Sequence, residues 1–358
     1  MAARALASVC IAAVALLSAP SAQRNDSTEP LEGARAAAAQ LPRLRSLRAA
    51  VRGTTILEYY AKNAARDRVT NVKSVSKSVI STLVGIAIER GLIRGVNQPI
   101  ATWFPQLARD PDPRKRAITV EDRLTMRSGL ISTSFDNYGA WVGSRNWVDY
   151  VLTRPLIAEP GREMEYSTGN THLLSAILTK ATKQTTWAFA QEQLGKPLGL
   201  SISRWARDPQ GIYFGGNDML LTPAQMLAIG ELYRNRGRHG TRQIVPAAWI
   251  DASCRGLGRS RFNPDQPYGY GWWSRDFAGR QGCFAWGYGG QYIILFRELD
   301  LVVVTTSAAD VSEDRRDHRR QIFEIIERLI LPAVQKVSPP SPQLDVAFEH
   351  VEHERHVE

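Results

Sequence analysis

Two kinds of hydrophobic pattern divide the chain. Near the start, Leu47, Ala49 and Val51 alternate with Arg48, Ala50 and Arg52, which is the period-two pattern of a half-buried strand. Gly53 marks a turn, and Thr54-Thr55-Ile56-Leu57-Glu58-Tyr59-Tyr60 is rich in β-branched and aromatic residues, so the two runs predict a β-hairpin. From Val79 to Ile88 the residues are uncharged, which predicts a helix buried on most sides and ended near Gly91. Residues 92–118 are punctuated by prolines. Thr119-Val120-Glu121-Asp122 has the form of a capping box, and Thr222-Pro223 opens a helix with Met226, Leu227, Ile229 and Leu232 on its apolar side. Leu173–Leu178 and roughly Thr186–Leu194 are further apolar helical segments. The period then returns to two: Tyr268–Trp273, Cys283–Trp286, Gln291–Phe296 and Leu301–Thr306 predict strands, and Arg319–Leu331 a terminal amphipathic helix.

Strands, many helices, strands and a final helix make an α+β chain. The hairpin and the late strands can join in one antiparallel sheet flanked by helices. The middle then forms an inserted, mainly helical lobe, and a site is expected at the seam. With 358 residues, 44% of them hydrophobic, the chain can build such a core. We expect one domain over residues 43–335, an ill-ordered or loosely helical linker at 23–42 and a disordered tail at 336–358. Residues 1–22 have the pattern of a secretory signal: Arg4, an apolar stretch from Ala5 to Leu17, then small residues. Export to the periplasm or medium is the corresponding expectation. Cys254 and Cys283 could then pair or stay free, and the spacing alone does not decide.

The formal net charge is +10. Its basic residues are scattered rather than interleaved with aromatic ones, so no nucleic-acid partner is expected. No cysteine or histidine spacing suggests a metal, and no cofactor motif is present. His172 reads as a structural residue near a helix start.

The chemistry concentrates at Ser74-Val75-Ser76-Lys77. On a helix, positions i and i+3 share a face, so Lys77 can reach the Ser74 hydroxyl. A desolvated lysine can activate a serine, and the helix N-terminus offers free N–H groups to a developing oxyanion. Serine and lysine at this spacing are common, and a solvated lysine beside an N-cap is the ordinary alternative. Partners later in the chain distinguish the two.

Ser74-Val75-Ser76-Lys77, Tyr166-Ser167-Thr168 and Ala285-Trp286-Gly287-Tyr288-Gly289-Gly290, in this order, resemble the serine β-lactamase and D-Ala-D-Ala peptidase superfamily. The similarity is greatest to the branch of class C β-lactamases, related esterases and 6-aminohexanoate-dimer hydrolases. It also includes Leu124-Thr125-Met126-Arg127-Ser128-Gly129-Leu130 and the Pro160-Gly161 turn, and runs from about Leu44 to Leu331. The resemblance implies a β-lactamase/transpeptidase-like fold, Ser74 as the acylated nucleophile, Lys77 easing its deprotonation, and Tyr166 as general base. It further implies an oxyanion hole from the N–H groups of Ser74 and Tyr288, with Gly287, Gly289, Thr168 and Trp286 around the cleft. Two positions depart from the pattern. Thr168 stands where β-lactamases commonly have asparagine, and Ala285-Trp286-Gly287 where they have Lys-Thr-Gly. The missing lysine argues against efficient β-lactam hydrolysis and for a small ester or linear amide with an uncharged contact there. Two other readings remain open: a non-catalytic protein that associates with the cell wall, and a D-Ala-D-Ala peptidase or β-lactamase.

Overall fold

A computed structural model describes residues 28–260 and 263–337 of the chain. The expected signal segment and nearly all of the expected tail lie outside the described residues.

The sheet is antiparallel and has eight strands: β1 (Leu44–Val51), β2 (Thr54–Tyr60), β3 (Gly258–Ser260), β4 (Asn263–Tyr268), β5 (Trp273–Phe277), β6 (Arg280–Gly287), β7 (Gln291–Phe296) and β8 (Leu301–Ser307). Their spatial order is β2-β1-β8-β7-β6-β5-β4-β3. The hairpin at the start of the chain and the meander at its end are thus sewn together by the β1–β8 pairing, with Ala49 opposite Val303 and Val51 opposite Leu301.

Period-two alternation sends side chains to opposite faces, and both faces here are covered. Val302, Val304, Ile293, Leu295 and Ala285 join the core on the side of the helical lobe. Leu301, Val303, Ile294, Phe296 and Phe284 join a second core beneath the terminal helices. Burial on both faces explains why β7 and β8 read as almost unbroken apolar runs.

The terminal layer contains helix α1 (Thr28–Ala39) and the helix that begins at Arg315 and continues to Val337. α1 falls in the segment expected to be ill-ordered or loosely helical and is a packed helix. Its alanines are the means of packing: Ala34 and Ala38 are wholly buried, and small side chains let the helix lie close to the C-terminal segment. A run of alanines carries little periodic contrast, so its amphipathic character is faint in the sequence.

On the other face, α2 (Val75–Glu89) passes between the sheet and α3 (Thr168–Thr182), and every residue from Val75 to Ala87 is buried. The capping box expected at Thr119 forms, and Thr222, expected only to open a helix before Pro223, makes one too, each N-cap hydroxyl accepting from the N3 backbone N–H. The Tyr268–Trp273 run is corrected in part: Tyr268 ends β4 and Trp273 begins β5, and residues 269–272 between them are a turn. The Gly269 N–H donates back to the Trp272 carbonyl, and the Gly271 carbonyl accepts from the Ser78 hydroxyl of α2. Aromatic residues favour strands, but here the glycines between them turn the chain against the central helix. Cys254, at the end of the helix Ala247–Cys254, is disulfide-bonded to Cys283 on β6.

Candidate active site

Three segments distant in sequence meet at the start of α2. Ser74 is its N-cap and is half-buried. The preceding residue, Lys73, holds the left-handed conformation at φ 51°. A non-glycine residue there costs of order 1–3 kcal/mol, so the surroundings must enforce it. They do so through Asn71, which accepts from the Lys73 N–H at 2.9 Å and donates to Asp218 at 2.8 Å. Asp218 also pairs with the Lys73 ammonium at 3.1 Å. The resulting kink puts the serine at the corner where the chain turns into the helix.

One helical turn on, Lys77 is 1% exposed. Its Nζ donates to Ser74 Oγ at 3.0 Å, to Thr168 Oγ1 at 3.3 Å and to the Gly216 carbonyl. Burial pushes the ammonium down to about 7, with the carboxylate of Asp218 opposing the shift. Near neutral pH the amine is therefore protonated in only about half the molecules.

Tyr166 precedes α3, and its ring lies 5.0 Å from Lys77 Nζ. It packs against Trp273 at 5.9 Å, Phe135 at 6.2 Å and Tyr268 at 6.4 Å. Desolvation raises the phenol to about 12, and a hydrogen bond with Ser74 only partly opposes this. At pH 7 the phenolate would then be roughly one molecule in 10⁵. Lys77 and Tyr166 are thus shifted in opposite directions, the amine down and the phenol up. The physical reason is that the same burial destabilises both the ammonium and the phenolate, which drives the two affinities apart.

The tyrosine segment is held by Ser132-Thr133-Ser134. Ser132 Oγ donates to the Tyr166 carbonyl at 2.7 Å. Ser134 Oγ accepts from the Thr168 N–H at 2.8 Å, and Thr133 Oγ1 from the Gly169 N–H at 2.9 Å. Orphan donors in the first turn of α3 are thus satisfied from another loop. Thr168, expected at the cleft wall, is instead buried, its hydroxyl shared between Lys77 and Ser134.

The end of β6 closes the other side. A Cβ on Gly287 would lie 2.2 Å from the Val72 carbonyl, so only glycine lets the strand come this close to the backbone that leads into Ser74. The chain then turns through Tyr288 and Gly289, with φ 88° at the glycine. Trp286 and Tyr288 are half-buried. Arg319 sits 5.6 Å over the first ring and Arg315 5.5 Å over the second. The cleft wall lacking the strand lysine is therefore flanked by guanidinium groups from the C-terminal helix, which the sequence reading did not place there. Among the described residues, no cluster of histidine, cysteine or acidic side chains has the arrangement of a metal site.

Half-buried Ser74 and Tyr166 and buried Lys77 meet at the seam of an antiparallel sheet and a helical lobe, the arrangement of a serine-nucleophile site, and comparison with known proteins gives the family. Residues 45–327 match the Beta-lactamase family model, and the chain belongs to that family. It is 24% identical over 211 residues to an uncharacterised protein of Mycobacterium tuberculosis, a match covering 52% of this chain and 50% of that one. The chain thus spans about half the length of that relative. It is 23% identical over 300 residues to 6-aminohexanoate-dimer hydrolase of Paenarthrobacter ureafaciens, covering 76% of this chain and 74% of that protein. The fold is also that of a penicillin-binding protein homolog from Caulobacter crescentus, with TM-score 0.67, 14% identity and coverage of 86% and 98% of the two chains.

Proposed function

We propose that the protein is a serine hydrolase that cleaves an ester or a linear amide through an acyl intermediate on Ser74. The observation that carries this reading is the short contact from Lys77 to the Ser74 hydroxyl, made by an amine buried deeply enough to be substantially neutral near pH 7. Neutral Lys77 accepts the serine proton as Oγ attacks the carbonyl carbon. The backbone N–H groups of Ser74 and Tyr288 receive the oxyanion. Tyr166, a phenol bonded to Ser74, relays the proton from Lys77 toward the leaving oxygen or nitrogen. Water then attacks the acyl-serine, and the same groups run in reverse.

The aromatic wall of Phe135, Tyr166, Trp273 and Trp286 suits an apolar acyl portion. The name of the Paenarthrobacter relative, a hydrolase of a 6-aminohexanoate dimer, supports the linear amide side of the reading. Export belongs to the same proposal. It rests on the leader pattern of residues 1–22 and is supported by the Cys254–Cys283 bond, which forms readily in an oxidising compartment.

The test is turnover of a p-nitrophenyl ester series and of a dipeptide-like linear amide by wild type and Ser74→Ala. Hydrolysis by wild type alone supports the proposal. Equal hydrolysis by both proteins, or none by either, overturns it and returns attention to a binding role.

A further inference from the structure

Behind Lys77 lies a second buried polar pair that the reaction scheme above does not use. His172, on α3, and Asp208 both have side chains with no exposure, and His172 Nε2 is 3.0 Å from Asp208 Oδ2. The other ring nitrogen, Nδ1, accepts from the Gly215 N–H at 3.4 Å. An acceptor carries no proton, so the hydrogen resides on Nε2 and is donated to the carboxylate. The second carboxylate oxygen is committed elsewhere: Asp208 Oδ1 accepts the N–H groups of Gln210 at 2.9 Å and Ile212 at 2.8 Å. Trp141, Trp147 and Phe214 pack edge-on around the imidazole and fix its plane.

Gly215 leads directly to Gly216, whose carbonyl accepts from Lys77 Nζ. These two glycines lie flush on the first turn of α3. A Cβ on Gly215 would be 2.3 Å from the Thr171 carbonyl, and one on Gly216 2.5 Å from that of Thr168. Contact alone sets how close the loop lies. The bond to His172 sets which way its peptides face. Building on the acyl-serine reading, we infer that Asp208 and His172 are positioning residues for Lys77: they hold one histidine tautomer, which orients the Gly215–Gly216 loop that carries an acceptor for the lysine ammonium.

Asp208→Asn tests this with almost no change in shape. Its amide oxygen keeps the two backbone donors, so its NH₂ turns toward His172. The imidazole must then accept at Nε2 and carry its proton on Nδ1, where it meets the Gly215 N–H donor to donor. The loop shifts and Lys77 loses an acceptor that favours its charged form. The groups that face Lys77 from the other elements, Tyr166, Asp218 and the Lys73 paired with Asp218, are untouched by this change. His172→Asn and His172→Gln make a second, independent comparison. Asparagine presents an oxygen near the Nδ1 position and can still accept from Gly215. Glutamine reaches the Nε2 position and cannot.

The experiment uses the full chain. Histidine ¹⁵N spectra report the tautomer, and the rate of Ser74 labelling by a fluorophosphonate is followed from pH 5 to 9. We expect an Nε2–H tautomer in wild type and Nδ1–H in Asp208→Asn. The acid limb of labelling should move to lower pH and the plateau rate fall about tenfold in Asp208→Asn and His172→Gln, while His172→Asn keeps the wild-type limb. A wild-type Nδ1–H tautomer, or one common pH profile for all four proteins, overturns the inference. A wild type that takes up no label would sink the acyl-serine reading instead, and the tautomer spectra would still decide this one.

Discussion

The pH dependence of acylation follows from the environment of Lys77 and can be worked through. The ordinary lysine value of 10.5 is lowered to about 7 by burial. If the neutral amine takes the Ser74 proton, the acid limb of kcat/KM reports this group in the free enzyme. About half of the molecules are competent at pH 7, about one in ten at pH 6 and about one in a hundred at pH 5. Below pH 6 the rate should fall roughly tenfold per unit. Asp218 holds the ammonium up by its charge, so Asp218→Asn should move the limb to lower pH. The assay is initial-rate hydrolysis of an activated ester at substrate concentrations well below KM, from pH 5 to 9, with protein integrity checked at each end. A rate still rising tenfold per unit at pH 9 would place the amine near its ordinary value and contradict the effect of burial. A flat profile from pH 5 to 8 would likewise refute the role given to the amine.

Three further outcomes follow from the same structure. A shift of 3.5 units in a buried lysine corresponds to about 5 kcal/mol of stability withheld at neutral pH. Lys77→Met should therefore abolish esterase activity yet melt no lower than wild type; a markedly lower melting temperature would contradict that cost. Gly287→Ala drives a methyl into the Val72 carbonyl with no flexible side chain to yield, so it should lose about 1–3 kcal/mol by urea unfolding and slow acylation as well. Wild-type stability and rate together would contradict the close approach. His318, 2% exposed and bonded to Ser307 at 3.0 Å, is lowered from 6.5 to about 4 by burial and then by the Arg43 guanidinium. The unfolded chain takes up this proton first as pH falls. The His318 contribution is thus full above pH 6.5, and up to about 3 kcal/mol is lost toward pH 4. Replacement by asparagine should flatten the stability curve over that window, and a curve of unchanged slope would exclude His318 as its source.

Much of the fold was legible because strong periodicity is a local property of the chain. The β7 and β8 runs, the uncharged stretch of α2, the capping box at Thr119 and the Thr222-Pro223 helix start each carry a local physical signal, and each forms where that signal lies. Ser74 and Lys77 could be paired because one helical turn separates them. Tyr166 and Gly287 entered through the resemblance, since nothing local ties residue 166 or 287 to residue 74. The supports of Lys77 were invisible for the same reason. Gly216 offers a backbone carbonyl, an atom every residue has, and Ser134 is one serine among many. Only the crossing of the loops shows what they touch. His172 was read as structural, which describes its burial but misses the direction of its two hydrogen bonds. The packing of the alanine-rich α1 and the turn at residues 269–272 were less legible because composition pointed away from the contacts that decide them.

The central claim is that Ser74 is the nucleophile of a working hydrolase. The most direct test is intact-protein mass after incubation with a fluorophosphonate at pH 8, for wild type and Ser74→Ala. The account requires one adduct on the wild type, mapped to the peptide that contains Ser74, and none on the variant. An unlabelled wild type, or an adduct of equal extent on Ser74→Ala, would contradict it.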